Sequence, residues 1–274
     1  IHMKRIYVLL FVMLLLACKN DDQAQPLPAV PPAPNPPTTT TPTTEEPIPP
    51  VKITVPEELK TYYKGFDFTK TGTALYDDLA ALTIAKHKNQ LGYGERHKYL
   101  YKADASLKNP QNVVLVYTGE ERFWREYNSG SNTYKPQTFN TEHIYPQSKY
   151  KGDAKGDLHH LKACDSKLNS SRGNIPFTNE SGRAGRINSA WYPGDEWKGD
   201  VARMIMYINL RYNDKIDNKI VIGGIETLLK WNDDDPVSDL ERQRNNVIEQ
   251  AQGNRNPFID FPQLARAAYK NYQE

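Results

Sequence analysis

Cysteine is scarce in this sequence, with 2 in 274 residues, Cys18 and Cys164. So few thiols exclude a disulfide-built scaffold, and a hydrophobic core has to hold the fold. Charge of one sign is lacking too. The formal net value is +2 at pH 7, and residues 57–274 are nearly balanced. Bulk charge therefore carries no sign of a polyanionic partner. Long apolar runs are missing. The best, Ile6–Ala17, is too short to cross a bilayer as a mature helix. His-Glu-x-x-His is absent, which removes the helical zinc-hydrolase pattern.

What is present divides the chain in three. Residues 1–18 read as an export signal. Ile1 and His2 precede Met3 and are set aside as a cloning remnant or a mis-set start, Lys4 and Arg5 open the segment, and the apolar run leads into Leu15-Leu16-Ala17-Cys18. That ending has the form of a lipobox, in which the signal is removed and Cys18 becomes the lipidated N-terminus. Cys164 is then left without an intrachain partner. It is expected as a packed free thiol, not as a ligand or nucleophile. Residues 19–56 read as a tether. Gln25–Pro56 holds more than half of the 20 prolines plus the run Thr38–Thr41, a composition that buries no core and favours extended chain. The short Lys19-Asn20-Asp21-Asp22 resembles signals that bring some bacterial lipoproteins to the cell surface. The expected location is the outer membrane, by the lipid on Cys18, with exposure at the surface. Residues 57–274 are one domain's worth of chain, expected to be monomeric.

Within that domain, Thr73–Lys88 has a helical stripe at Leu75, Leu79, Leu82 and Ala85. Val113–Tyr117 reads as a buried strand ending at Thr118-Gly119. Asp200 is placed to cap a helix through Tyr212, with Val201, Met204, Ile205 and Ile208 on one face. Ser238 to Glu241 is a capping box opening a helix towards Ala251, and Pro262 is placed to start a last short one. Helices outnumber strands, and the strands cluster around one region, so the expected class is α+β. Asn254, Arg255 and Asn256 are read as turn caps and an ion pair.

Most of the chemistry sits between Phe139 and Phe177. Phe-Asn-Thr-Glu-His-Ile-Tyr-Pro is followed by Asp-Leu-His-His-Leu at Asp157–Leu161, then by Leu-Asn-Ser-Ser-Arg-Gly-Asn at Leu168–Asn174. An acid, histidines, a carboxamide and an arginine are the equipment for cutting a phosphodiester with one hard cation. Glu142 and Asn169 offer oxygen ligands. His143 offers a base near neutral pH. Arg172 offers a planar cationic donor for phosphate. Neighbours on a regular strand point to opposite faces, so Glu142 and His143 can serve one site only at a strand end or turn, which Pro146 marks. Asp157–Leu161 is expected as the returning strand of a hairpin. A short helix then runs from Asp165 as N-cap to Gly173, with Asn169 and Arg172 on a similar face. Lys149, Lys151, Lys155, Lys162, Lys167, Arg183 and Arg186 surround the motif as candidate phosphate contacts.

These three motifs resemble the endonuclease I family of secreted bacterial nucleases. The likeness runs from about Tyr62 to Pro262, including Lys198–Tyr212 as the family's following helix and Gln252–Pro262 as its C-terminal signature. The resemblance implies a His-Me finger, or ββα-metal core, embedded in a mainly helical domain. It implies one divalent cation, Mg²⁺ first and Ca²⁺ or Mn²⁺ as alternatives, held by Glu142 and Asn169, with His143 as general base. Asp157, His159 and His160 enter as supporting site residues and Arg172 as a catalytic one. The implied substrate is DNA or RNA, cut with little sequence preference to leave 5′-phosphates. The scarcity of cysteine departs from the disulfide-rich members. Two other readings compete: a lipoprotein that binds DNA without cutting it, which has no need of the Glu142-His143 pair, and a zinc hydrolase built on His143, His159 and His160.

Overall fold

A computed structural model describes residues 52–272. The expected signal segment, Cys18 and most of the tether lie outside the described residues. In chain order the elements are α1 (Gly72–Lys86), α2 (Arg96–Ala103), β1 (Asn112–Val114), β2 (Glu121–Phe123), β3 (Phe139–His143), β4 (Leu161–Asp165), α3 (Ser166–Arg172), β5 (Gly185–Ile187), β6 (Ala190–Tyr192), α4 (Lys198–Tyr212), α5 (Gly224–Asp234), α6 (Asp239–Gln252), α7 (Pro257–Asp260) and α8 (Leu264–Ala268). The strands form three antiparallel pairs, β1–β2, β3–β4 and β5–β6. The class is α+β, as the clustering of strand patterns implies.

Helix α4 lies at the centre. The spacing of its apolar residues predicts one buried face, but burial extends almost all round, taking in Asp200, Arg203 and Asn209. It packs against α1, α5 and α7, so its polar residues need partners inside the protein. Arg203 donates from Nε and Nη2 to the two carboxylate oxygens of Glu241 at 2.6 and 2.9 Å. Asp200 sits in the helix's first turn, while Trp197 occupies the capping position. On α6 the capping box forms as read: Ser238 Oγ accepts from Glu241 N–H at 3.2 Å, and Glu241 Oε2 accepts from Ser238 N–H at 3.0 Å. The last helix begins at Leu264, two residues after Pro262.

A second apolar cluster holds the β3–β4 hairpin. Leu100 and Ala103 of α2, Phe139, Leu161 and Ala163 of the hairpin, and Ile248 and Ala251 of α6 are all buried together. Its register pairs Phe139 with Asp165 and His143 with Leu161. The returning strand is thus Leu161–Asp165 and not Asp157–Leu161; the latter residues form a single 3₁₀ turn at Leu158–His160. The reason is tertiary. Asp157 caps that turn by accepting from His159 N–H at 2.9 Å, and the turn packs into α4 and α6. Asp165 caps α3, its carboxylate accepting from Lys167 and Leu168 N–H, and Gly173 ends it at φ 56° and ψ −129°. That backbone region is open essentially to glycine alone.

Candidate active site

Glu142 and His143 are the last two residues of β3, where alternation gives out and both side chains face one region. Asn169 approaches from α3. Together with Thr141, Ser148, Gly173 and Asn174 they line an open cavity of about 410 Å³.

Each of the three is held by specific partners. Both amide hydrogens of Asn169 are used, Nδ2 donating to Asn140 Oδ1 at 2.7 Å and to Thr141 O at 3.1 Å. This fixes the amide and leaves Oδ1 as its free atom. The Glu142 carboxylate is buried. Its Oε1 accepts from the Tyr117 hydroxyl at 2.9 Å and faces Arg172 Nε at 3.1 Å. The His143 backbone N–H also bonds the carboxylate. Burial pushes the Glu142 carboxyl up, and Arg172 and Tyr117 pull it back only in part. A cation beside the carboxylate would favour the ionised form.

His143 Nε2 lies 3.3 Å from the Lys155 carbonyl. A carbonyl only accepts, so Nε2 carries the hydrogen and Nδ1 the lone pair. Burial first, and then neighbouring His160, hold His143 down at about 3, so the ring is neutral at pH 7. It stacks on Tyr93 with centroids 5.1 Å apart. The contact to Lys155 depends on Gly156, where a Cβ would stand 1.9 Å from Leu91 O; only glycine lets this turn pack so closely.

Other residues singled out in the sequence lie elsewhere. Arg172 is 1% exposed. It donates to Gly173 O at 2.7 Å and Ile144 O at 3.0 Å, and its guanidinium lies over the Phe177 ring. It backs Glu142 from inside the protein. Asp157 and His159 belong to a buried network away from the cavity. Asp157 accepts from the hydroxyls of Tyr207 at 2.6 Å and Tyr212 at 2.8 Å and from Gln252 Nε2 at 3.0 Å, and His159 Nε2 meets Asn254 O at 3.2 Å. His160 is buried behind His143, ring centroids 5.4 Å apart, with Nε2 on Ala154 O at 2.7 Å. Lys162, one of the candidate phosphate contacts, is wholly buried and paired with Asp104 at 2.9 Å. Cys164 is a buried free thiol, and burial pushes it up, out of reactive range.

Three residues at the site carry no signal that motif reading picks up. Tyr93, Arg96 and Tyr117 lie far from the motifs in sequence. Arg96 packs over the Tyr93 ring at 3.6 Å and donates from Nε to Thr141 Oγ1 at 2.9 Å. It is the arginine beside the cavity. Tyr117 adopts φ 75°, strained for an aromatic residue, in delivering its hydroxyl to Glu142.

A buried acid, an amide with its oxygen left free and a neutral imidazole line one cavity. The donors fit a hard cation: two protein oxygens, with water completing the shell, suit Mg²⁺ or Ca²⁺. No group of three or more His, Cys, Asp or Glu side chains able to hold a metal occurs among the described residues, which removes the three-histidine zinc site.

Sequence comparison places the domain that carries this site among nucleases. Residues 71–263 match the endonuclease I family, to which this chain belongs. The extracellular ribonuclease of Bacillus subtilis is 39% identical over 229 residues, covering 75% of this chain and 77% of that protein. The extracellular ribonuclease of Bacillus amyloliquefaciens is 38% identical over 237 residues, covering 78% and 79%. Endonuclease-1 of Buchnera aphidicola is 25% identical over 212 residues, covering 60% of this chain and 85% of that protein.

Proposed function

We propose that this protein is a metal-dependent endonuclease that hydrolyses phosphodiesters of DNA and RNA with little sequence preference. The observation that carries the reading is the convergence of Glu142, Asn169 and a neutral His143 on one open cavity. The unit β3–β4–α3 serves as a His-Me finger. Glu142 and Asn169 would hold one divalent cation, Mg²⁺ by the character of its ligands, and that ion would supply charge stabilisation for the phosphate and its leaving oxygen. His143 Nδ1 takes a proton from the attacking water, while the Lys155 carbonyl keeps the ring in the required tautomer. Tyr117 and Arg172 favour the ionised form of Glu142 and fix its position. Arg96 meets the phosphate. Water attacks in line, the 3′-oxygen leaves, and the products carry 5′-phosphates.

Export agrees with the names of the two Bacillus relatives, both extracellular ribonucleases. No helix among the described residues is long and apolar enough to cross a membrane. In this reading the attachment is the lipid on Cys18, the residues after it are the tether, and 57–274 form the monomeric nuclease. The test is incubation with plasmid, linear DNA and RNA, with and without EDTA. Fragments ending in 5′-phosphate, formed only when free Mg²⁺ is present, are expected. Intact substrates under every condition would leave only a DNA-capturing lipoprotein.

A further inference from the structure

Helix α2 leads from the catalytic cavity to a second one. At its start, Arg96 contacts Thr141 on the cavity wall. Five residues on, about 8 Å along the axis by helical rise, Tyr101 enters a separate cavity of about 490 Å³. Trp124, His97, Lys98, Lys102 and Gln243 also line it.

Its walls have the composition of a nucleobase site. Trp124 is 37% exposed, unusual for so large an apolar side chain. Its backbone N–H is fixed on Gln111 O at 3.0 Å, and its indole N–H has no partner among the described residues. Its ring lies 6.4 Å from that of Tyr101, tilted by 36°. Tyr101 is itself held rigid by stacking on Tyr127 at 5.2 Å and by its hydroxyl against His97 Nδ1 at 2.6 Å. That contact leaves His97 Nε2 free. Gln243 spends its amide hydrogens on Ala103 O and Ala105 O and so keeps Oε1 for a ligand. Lys98 and Lys102 supply positive charge; only Lys98 has an acidic neighbour, Glu95 at 3.6 Å, across solvent.

Resting on the nuclease reading, we infer that this cavity is a base-stacking subsite for an unpaired nucleotide of the substrate, with the exposed Trp124 as the platform and the buried Tyr101 supporting it. Aromatic rings beside lysines are the means by which proteins bind single strands without reading sequence. A paired base presents no free face, so the subsite favours single-stranded RNA or DNA over duplex. The strand passes from Lys98 and Lys102 along α2 to Arg96 and the catalytic cavity.

The experiment measures binding of a fluorescein-labelled single-stranded hexaribonucleotide in EDTA by anisotropy. Its companion probe is an abasic hexamer with the same phosphates. Trp124→Ala is expected to raise Kd for the hexamer about tenfold, in line with stacking measured elsewhere, and to leave the abasic probe unchanged. Trp124→Phe is expected to restore most of the affinity. Lys98→Gln with Lys102→Gln is expected to weaken both probes and flatten the salt dependence. Equal hexamer binding by wild type and Trp124→Ala, or equal losses on both probes, would overturn the subsite. Cleavage of the same hexamer in Mg²⁺ is scored separately. Cutting without Trp124-dependent binding refutes the base site alone, and Trp124-dependent binding without cutting refutes the nuclease reading alone.

Discussion

Arg172 and Glu142 are best considered as a pair. The carboxylate gives one oxygen to both Arg172 and Tyr117, and the residue lines the cavity. Removing a partner from a buried ion pair strands the remaining charge and costs about 3–5 kcal/mol. Arg172→Ala is therefore expected to lower unfolding stability by about that amount, as read from a denaturant titration. A variant as stable as wild type but slow in cleavage would return Arg172 to the phosphate. Tyr117→Phe removes only the hydroxyl. It is expected to fold and to need more Mg²⁺ for half-maximal cleavage, because Glu142 loses the donor that helps to keep it ionised and in place. An unchanged Mg²⁺ requirement would show that Tyr117 does not orient the acid.

At the scale of elements, the frame is a hairpin and a helix whose ends are fixed by local rules. Asp165 and Gly173 delimit α3 as their residue types require, and this part was legible because capping is decided within a few residues. The strand register was not legible. Asp157–Leu161 and Leu161–Asp165 both alternate acceptably, and the choice is made by Tyr207, Tyr212 and Gln252, which draw Asp157 out of the sheet. His159 lies in the same buried network, on Asn254 O and the Tyr207 ring, while Asn254, Arg255 and Asn256 make buried structural hydrogen bonds as their residue types led one to expect. Glu142, His143 and Asn169 were legible as a group because they share one short motif region; Tyr93, Arg96 and Tyr117 were not, since only the packing of α2 and of the chain after β1 brings them in. Leu161 pairs with His143 and is fully buried. Leu161→Ala is expected to cost about 2–5 kcal/mol, measured by thermal or denaturant unfolding. A loss well below this would mean that the second apolar cluster does not hold the hairpin.

For the whole molecule, buried titratable groups set the acid limit. Burial raises Asp157, but His159, His87 and the hydrogen bonds from Tyr207 and Gln252 outweigh it and hold the carboxyl at about 2. Its contribution is present above the ordinary carboxylate range and is lost as pH falls towards 2. Burial first holds His159 at about 4, so the folded state keeps it neutral, and stability is lost as pH falls from about 6.5 to 4. Both act in one direction, and the denaturation midpoint is expected to fall steadily below pH 6.5; a flat midpoint between pH 7 and 4 would contradict the buried network. At the other end of the chain, Cys18→Ser is expected to release the protein from the membrane fraction, since a diacylglyceryl group gives stable attachment where a single chain does not. The most direct measurement is the rate of single-stranded RNA and duplex DNA cleavage by wild type and His143→Ala across a Mg²⁺ titration, with an EDTA control. Cleavage that EDTA stops and Mg²⁺ restores, reduced by about 10²–10⁴ in His143→Ala at saturating Mg²⁺, is the expected result. EDTA-resistant cleavage, with His143→Ala as fast as wild type, would contradict the account.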